Sequence, residues 1–171
     1  MTTSPTDRPV VRIRCLEPAD RGRLHDLLQQ VAIFESHEID VAEELIDVCL
    51  TGSDDYLIYV AEDDGPEGAG SDQLLGYVCH GHNPVTDAIH DIYWIAVHPD
   101  ARRRGVGRAL LTHAEDRVRQ LAGRGITIET SCRPEYGAAR TLYEACGYAT
   151  VAEIADFYKP GDAMRIYMKK W

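Results

Sequence analysis

The 171-residue chain has no run approaching the ~20 consecutive apolar residues that a membrane-spanning helix needs. Its start, Met1 to Pro18, lacks the apolar core of a secretory signal, so a cytoplasmic location is expected by default. Cys15, Cys49, Cys79, Cys132 and Cys146 are odd in number and no two form a CxxC pair. That pattern fits neither a disulfide framework nor a zinc knuckle, and predicts free thiols. Basic residues are scarce in one region: Glu17 to Asp72 holds sixteen acids and only Arg21 and Arg23 against them. The remainder, Gln73 to Trp171, is nearly balanced, with eleven acids and thirteen bases. A net charge of −10 argues against nucleic acid as a partner. The asymmetry suggests a cation near the first part and an anion near the second, or simply a solvated acidic surface.

What is present is ordinary for a globular protein: 44% hydrophobic and 27% charged residues. At this length roughly 70% of the unfolded surface can be buried without a covalent staple. One domain over 1–171 is expected, with 1–9 as a flexible N-terminus.

Periodicity gives the elements. Val10–Cys15 alternates like a strand. Pro18 and Asp20 open a helix with Leu24, Leu27, Leu28 and Val31 on one face. Asp40 and Glu43 read as the capping box of a second helix whose apolar face is Val41, Leu45, Val48 and Cys49. Tyr56–Ala61, Leu74–His82 and Ile89–Val97 read as strands, the first two joined by the Gly-rich loop Asp63–Asp72. A long helix from about Gly105 to Ala122 follows, stopped by Gly123 and Gly125. Ile126–Thr130, a helix from about Glu135 to Cys146, Tyr148–Ile154 and Arg165–Lys169 complete the chain. The order β-α-α-β-β-β-α-β-α-β-β predicts an α/β layered domain with a mixed sheet of about seven strands and about four helices.

The stretch Ile95 to Leu111, IAVHPDARRRGVGRALL, carries the chemistry. A strand runs into a two-glycine loop that enters a helix directly. Backbone N–H groups can approach a ligand closely at Gly105 and Gly107. The first helical N–H groups lack internal partners, and the helix dipole favours an anion there. Arg102, Arg103, Arg104 and Arg108 add positive charge. A dinucleotide fingerprint would need glycine at 110, where Leu110 stands, and a Walker loop would need GK[ST], which is absent. These gaps argue against a nucleotide-binding protein.

The spacing R-x-x-G-x-G at Arg102, Gly105 and Gly107 resembles the cofactor motif of the GNAT acetyltransferase superfamily. A second segment, Ala139-Arg140-Thr141-Leu142-Tyr143-Glu144-Ala145-Cys146-Gly147-Tyr148, is similar to that family's A-x-x-LYE-x-x-G-[FY]. The resemblance covers about Ile89 to Lys169; before that it rests on element order. It implies a mixed, mostly antiparallel sheet and acetyl-CoA as co-substrate, with its pyrophosphate at Arg102, Arg103, Arg104, Gly105, Val106, Gly107 and Arg108. The backbone of Ile95 and Val97 would pair with the pantetheine arm. The family often has Asn three residues before the first alanine of the second segment, where this chain has Tyr136.

Acetyl transfer to an amine needs a base, because an alkylamine is mostly protonated near neutrality. It also needs an acid for the departing thiolate. The resemblance makes Tyr143 the acid; a tyrosine merely packed on the sheet is the alternative. Glu129 ranks first as base, with Asp91 and His90 behind it; otherwise Glu129 is a strand carboxylate paired with an arginine such as Arg133. His80, His82 and His90 could bind zinc, but no further ligand completes the set, no metal is expected, and polar side chains lining an acceptor pocket is the preferred reading. Cys132 as a nucleophile lacks an evident base. The expected acceptor is a primary amine of a small molecule or peptide, cationic and drawn by Glu35, Glu38, Asp40, Glu43 and Glu44. Neither nucleic acid nor membrane is expected as a partner; a homodimer stays open. A silent acyl-CoA-binding sensor is the rival reading.

Overall fold

The computed structural model describes residues 11–64 and 73–171. The expected flexible 1–9, Val10 of the first strand and most of the Gly-rich loop lie outside the described residues. The elements are β1 (Val11–Cys15), α1 (Asp20–Gln30), α2 (Ser36–Leu50), β2 (Leu57–Asp63), β3 (Gly76–His82), β4 (Ile89–Val97), α3 (Val106–Gln120), β5 (Gly125–Ser131), α4 (Gly137–Ala145), β6 (Ala149–Lys159) and β7 (Asp162–Lys170). This is the order expected. Single 3-10 turns at Pro99–Ala101 and Pro134–Tyr136 precede α3 and α4.

The strands form one sheet in the order β1-β2-β3-β4-β5-β7-β6. Every neighbouring pair is antiparallel except β4 and β5, which are parallel. Alternation along the central strands feeds two apolar layers. In β2, Tyr59 and Ala61 join Leu110, Leu111 and Ala114 of α3 on one face. Ile58 and Val60 join Leu24, Leu27 and Leu28 of α1 and Ile39, Ala42 and Ile46 of α2 on the other. Neither face of the central sheet is solvated, giving three layers, helix on sheet on helix.

Two local expectations are corrected. The second helix begins at Ser36, four residues before Asp40, and Glu35 is its N-cap. The N–H of Glu35 donates to the Glu38 carboxylate at 2.7 Å, the bond that a capping box makes. The buried stripe is Ile39, Ala42 and Ile46, with the expected Leu45 and Cys49 packed beside it, while Val41 and Val48 are exposed. The left-handed turn that ends α3 is taken by Ala122 (φ 59°), not by a glycine.

The histidines sit away from the position expected of them. His80, His90 and His113 pack on the α3 side of the sheet, in a ladder with Tyr59. Ring centroids lie 5.9 Å apart for Tyr59–His80, 5.7 Å for His80–His90 and 4.4 Å for Tyr59–His113. His80 is fully buried and neither ring nitrogen has a hydrogen-bond partner among the described residues. Burial, reinforced by His90, Arg117 and His113, pulls its pKa down to about 4. His90 and His113 shift down as well, chiefly through burial. A histidine depressed in the fold binds fewer protons than in the unfolded chain, so its contribution to stability is present above the unfolded value of 6.5. That contribution is lost as pH falls from 6.5 towards about 4. The full loss from His80 is about 3 kcal/mol. The melting temperature should therefore begin to drop between pH 6.5 and 5, before carboxylates titrate, and His80→Phe should flatten that slope. A flat wild-type profile over that window would contradict the burial of neutral His80.

Candidate active site

β4 and β5 pair only from Ile89–Gly125 to Ile92–Ile128. At the next residue β4 bulges: Cys79 of β3 pairs with Trp94 and His80 with Ile92, leaving Tyr93 as the extra residue. A bulge bends a strand and ends its pairing. From Trp94 to Val97 the strand stays on β3 alone, so its other edge faces an opening between β4 and β5.

A cavity of about 520 Å³ lies at this opening, lined by residues from both faces of the sheet. On the α4 side it meets Ile92, Ile95, Ile128, Ala139 and Tyr143; on the α2 side it meets Trp94, Glu129, Glu38, Tyr136 and Tyr158. Ile95, Tyr143 and Glu129, all expected from sequence, are thus brought together. Val97 and the loop from Arg102 to Arg108 do not line it. They lie farther along β4: a Cβ on Gly107 would come within 3.6 Å of Val97 and 2.8 Å of Leu142, the neighbour of Tyr143.

The loop has the geometry of an anion cradle. Gly105 is the N-cap of α3 with φ +85°, a left-handed conformation that favours glycine, and a Cβ there would meet open space. The first helical hydrogen bond runs from Ala109 N–H to the Gly105 carbonyl at 3.0 Å, leaving the N–H groups of Val106, Gly107 and Arg108 outside the ladder. Arg102 and Arg103 are exposed, Arg104 pairs with Asp63 at 3.1 Å, and Arg108 reaches the Ala145 carbonyl at 3.4 Å. Gly107 has a further duty beside the one expected. Its missing side chain makes room for Leu142, so it sets how closely α4 approaches α3. Gly107→Val should cost about 1–3 kcal/mol by overpacking, and adding Leu142→Ala should recover most of it. An unchanged melting temperature in Gly107→Val would refute that contact.

Tyr143 is 4% exposed, and its hydroxyl has no hydrogen-bond partner among the described residues. Burial holds the phenol far above its usual pKa, so at neutral pH it keeps a proton to give. Its ring packs against Tyr167 at 5.6 Å and Tyr148 at 6.4 Å. Glu129 is exposed to the cavity and has no ion-pair partner among the described residues. The pairing expected for it is corrected: Arg133 instead meets Glu35 at 3.3 Å and Asp162 at 3.5 Å. Asp91 also lines the cavity, but it accepts from Asn83 at 2.9 Å and from the Thr127 hydroxyl. His80, His82 and His90 do not line it. Cys132 also lies outside, with burial and Glu153 pushing its thiol pKa up.

Of the five acids expected to face an acceptor, only Glu35 and Glu38 line the cavity. Glu43 turns away, towards Arg21 at 3.2 Å and the His25 ring. Several wall residues had no sequence signal. Lys159 comes from the β6–β7 turn to meet Glu35 at 2.8 Å. Behind the wall, Arg140 donates to the carbonyls of Ser131 (2.6 Å) and Arg133 (2.9 Å), pinning the segment after β5 against α4. Tyr136 was visible only as a departure from the family pattern.

Residues 54–150 match the family model described as the acetyltransferase (GNAT) domain. The chain belongs to the GNAT acetyltransferase family. A GNAT-family protein from Desulfovibrio desulfuricans is 34% identical, with a TM-score of 0.85 over 94% of this chain and 99% of that one. The ribosomal protein bS18-alanine N-acetyltransferase of Escherichia coli is 38% identical over 82 residues, 46% of this GNAT chain and 53% of that enzyme. The chain thus matches about half the length of these curated relatives. Arabidopsis thaliana NAA60, solved with acetyl-CoA, shares the fold at a TM-score of 0.75 and 18% identity, covering 94% of this chain and 98% of its own. The glycine loop and the β4–β5 opening fall within the stretch that the family model matches, whereas Glu35, Glu38, Tyr158 and Lys159 of the cavity wall lie outside it.

Proposed function

We propose that this GNAT chain is an acetyl-CoA-dependent N-acetyltransferase that passes the acetyl group directly to a primary amine of a small molecule or peptide. The observation that carries this is the parting of β4 from β5 beyond Ile92 and Ile128, with a proton donor on one side of the opening and a carboxylate on the other. The residues present suit the co-substrate: helix-start N–H groups flanked by arginines for a pyrophosphate, and a strand edge from Trp94 to Val97 for an amide-bearing arm. The group supplies an activated thioester. Glu129 takes the proton from the amine, directly or through water. A backbone N–H of the Ile95–Val97 edge donates to the carbonyl oxygen as charge builds on it. Tyr143 gives its proton to the leaving sulfur. Two walls keep the partners apart: the arginine loop draws the polyanion, and the acidic α2 side draws a cation.

The test is thiol release across a panel of amines, with the acetylated product identified by mass. Stoichiometric thiol and N-acetyl product support the reading. Tight coenzyme A binding without release for any amine would instead identify a silent acyl-CoA sensor.

A further inference from the structure

The cavity holds five carboxylates, and their partners sort them. Glu35 is met by Lys159 at 2.8 Å and Arg133 at 3.3 Å. Asp162 is met by Arg133 and accepts from Ser131 at 2.6 Å. Asp91 is tied to Asn83 and Thr127. Glu38, Glu129 and Asp91 have no cationic partner among the described residues; with Asp91 taken up by Asn83 and Thr127, Glu38 and Glu129 remain. They stand on different elements, α2 and β5, with Tyr158 between them. Burial and the charges of Glu129, Asp162 and Glu38 push the Tyr158 pKa up to about 12.

Glu38 is also held still. One oxygen accepts the Glu35 N–H at 2.7 Å, and the other accepts the Tyr136 hydroxyl at 3.1 Å. The Arg133 guanidinium lies over the Tyr136 ring, 5.4 Å from its centroid, and fixes that ring in turn. A carboxylate has about four lone-pair sites, so two stay open on the cavity side. Phe34 and Trp94, with ring centroids 5.3 Å apart, form an apolar wall beside it. A fixed, unneutralised carboxylate beside aromatic faces suits an ammonium or guanidinium group.

We propose that Glu38 is a specificity-determining residue that binds a second positive group of the acceptor, while Glu129 serves the reacting amine, and that Tyr136 is the positioning residue that aims Glu38. The favoured acceptor class is therefore a dication: a diamine, or an amine with a second cationic group nearby. This rests on the proposed amine acetylation and goes beyond it by naming the acceptor class.

The experiment compares linear diamines of three to eight carbons with monoamines of the same length, in wild type, Glu38→Gln and Tyr136→Phe. Gln keeps the capping acceptor of α2, so the helix start survives. Wild type should favour at least one diamine over its monoamine by tenfold or more in kcat/KM. Glu38→Gln should abolish that preference through KM, leaving kcat and the KM for acetyl-CoA within about twofold. Tyr136→Phe should raise the diamine KM several-fold and leave the monoamine KM unchanged. Turnover of diamines and monoamines with equal efficiency in wild type, or a diamine preference that survives Glu38→Gln, overturns this assignment while the acetyltransferase reading stands. No thiol release with any amine overturns both.

Discussion

Tyr143→Phe should lower kcat by about 10²–10⁴-fold while changing the amine KM little, the loss typical of a missing general acid. The substitution removes one oxygen and leaves the ring packed between Tyr148 and Tyr167. The hydroxyl it removes has no structural partner among the described residues, so the melting temperature should hold. The burial that raises the phenol's pKa keeps it protonated through the neutral range, so its own ionisation should not limit the rate there. Wild-type kcat in this variant, under conditions where chemistry limits turnover, would reduce Tyr143 to a packing residue.

Glu129→Gln should cost a similar factor, about 10²–10⁴ in kcat, and its signature is a pH dependence. The base matters because the amine arrives protonated. As pH rises towards the amine's own pKa of roughly 10, more of it arrives neutral and the defect should shrink. Asp91→Asn is the control: that carboxylate is already committed to Asn83 and Thr127, so its loss should affect kcat far less. A defect in Glu129→Gln that stays constant with pH, or a larger one in Asp91→Asn, would move the base away from Glu129.

The sequence made legible whatever is local. Ile89–Val97 was bounded as observed because the β-branched and aromatic residues of IHDIYWIAV sit between the Asn83-Pro84 and His98-Pro99 turn signals. Leu24, Leu27, Leu28 and Val31 were placed in the core by helical spacing alone. The glycine loop and the Leu142–Tyr143 segment, far apart in sequence, lie next to each other in space, with Gly107 against Leu142. The start of α2 was misread because Glu35 is a poor N-cap by type, and the bond from its N–H to Glu38 compensates. The acceptor wall was hidden for another reason. Tyr136 meets Glu38, and Lys159 meets Glu35, across about a hundred residues of chain. Such pairings follow from topology and leave no periodic trace. Charge counting over Glu17–Asp72 pointed to the right region, but could not separate Glu38, in the cavity, from Glu43, salt-bridged to Arg21 outside it.

The most direct test of the central claim is a crystal structure with coenzyme A and the best amine from the panel. The account predicts the pyrophosphate on the N–H groups of Val106 to Arg108 and the pantetheine arm along the Trp94–Val97 edge. It places the sulfur within hydrogen-bond reach of the Tyr143 hydroxyl, and the amine on the α2 side beside Glu129. Coenzyme A bound elsewhere, or an amine seated away from Glu129 on the far side of the sheet, would contradict it.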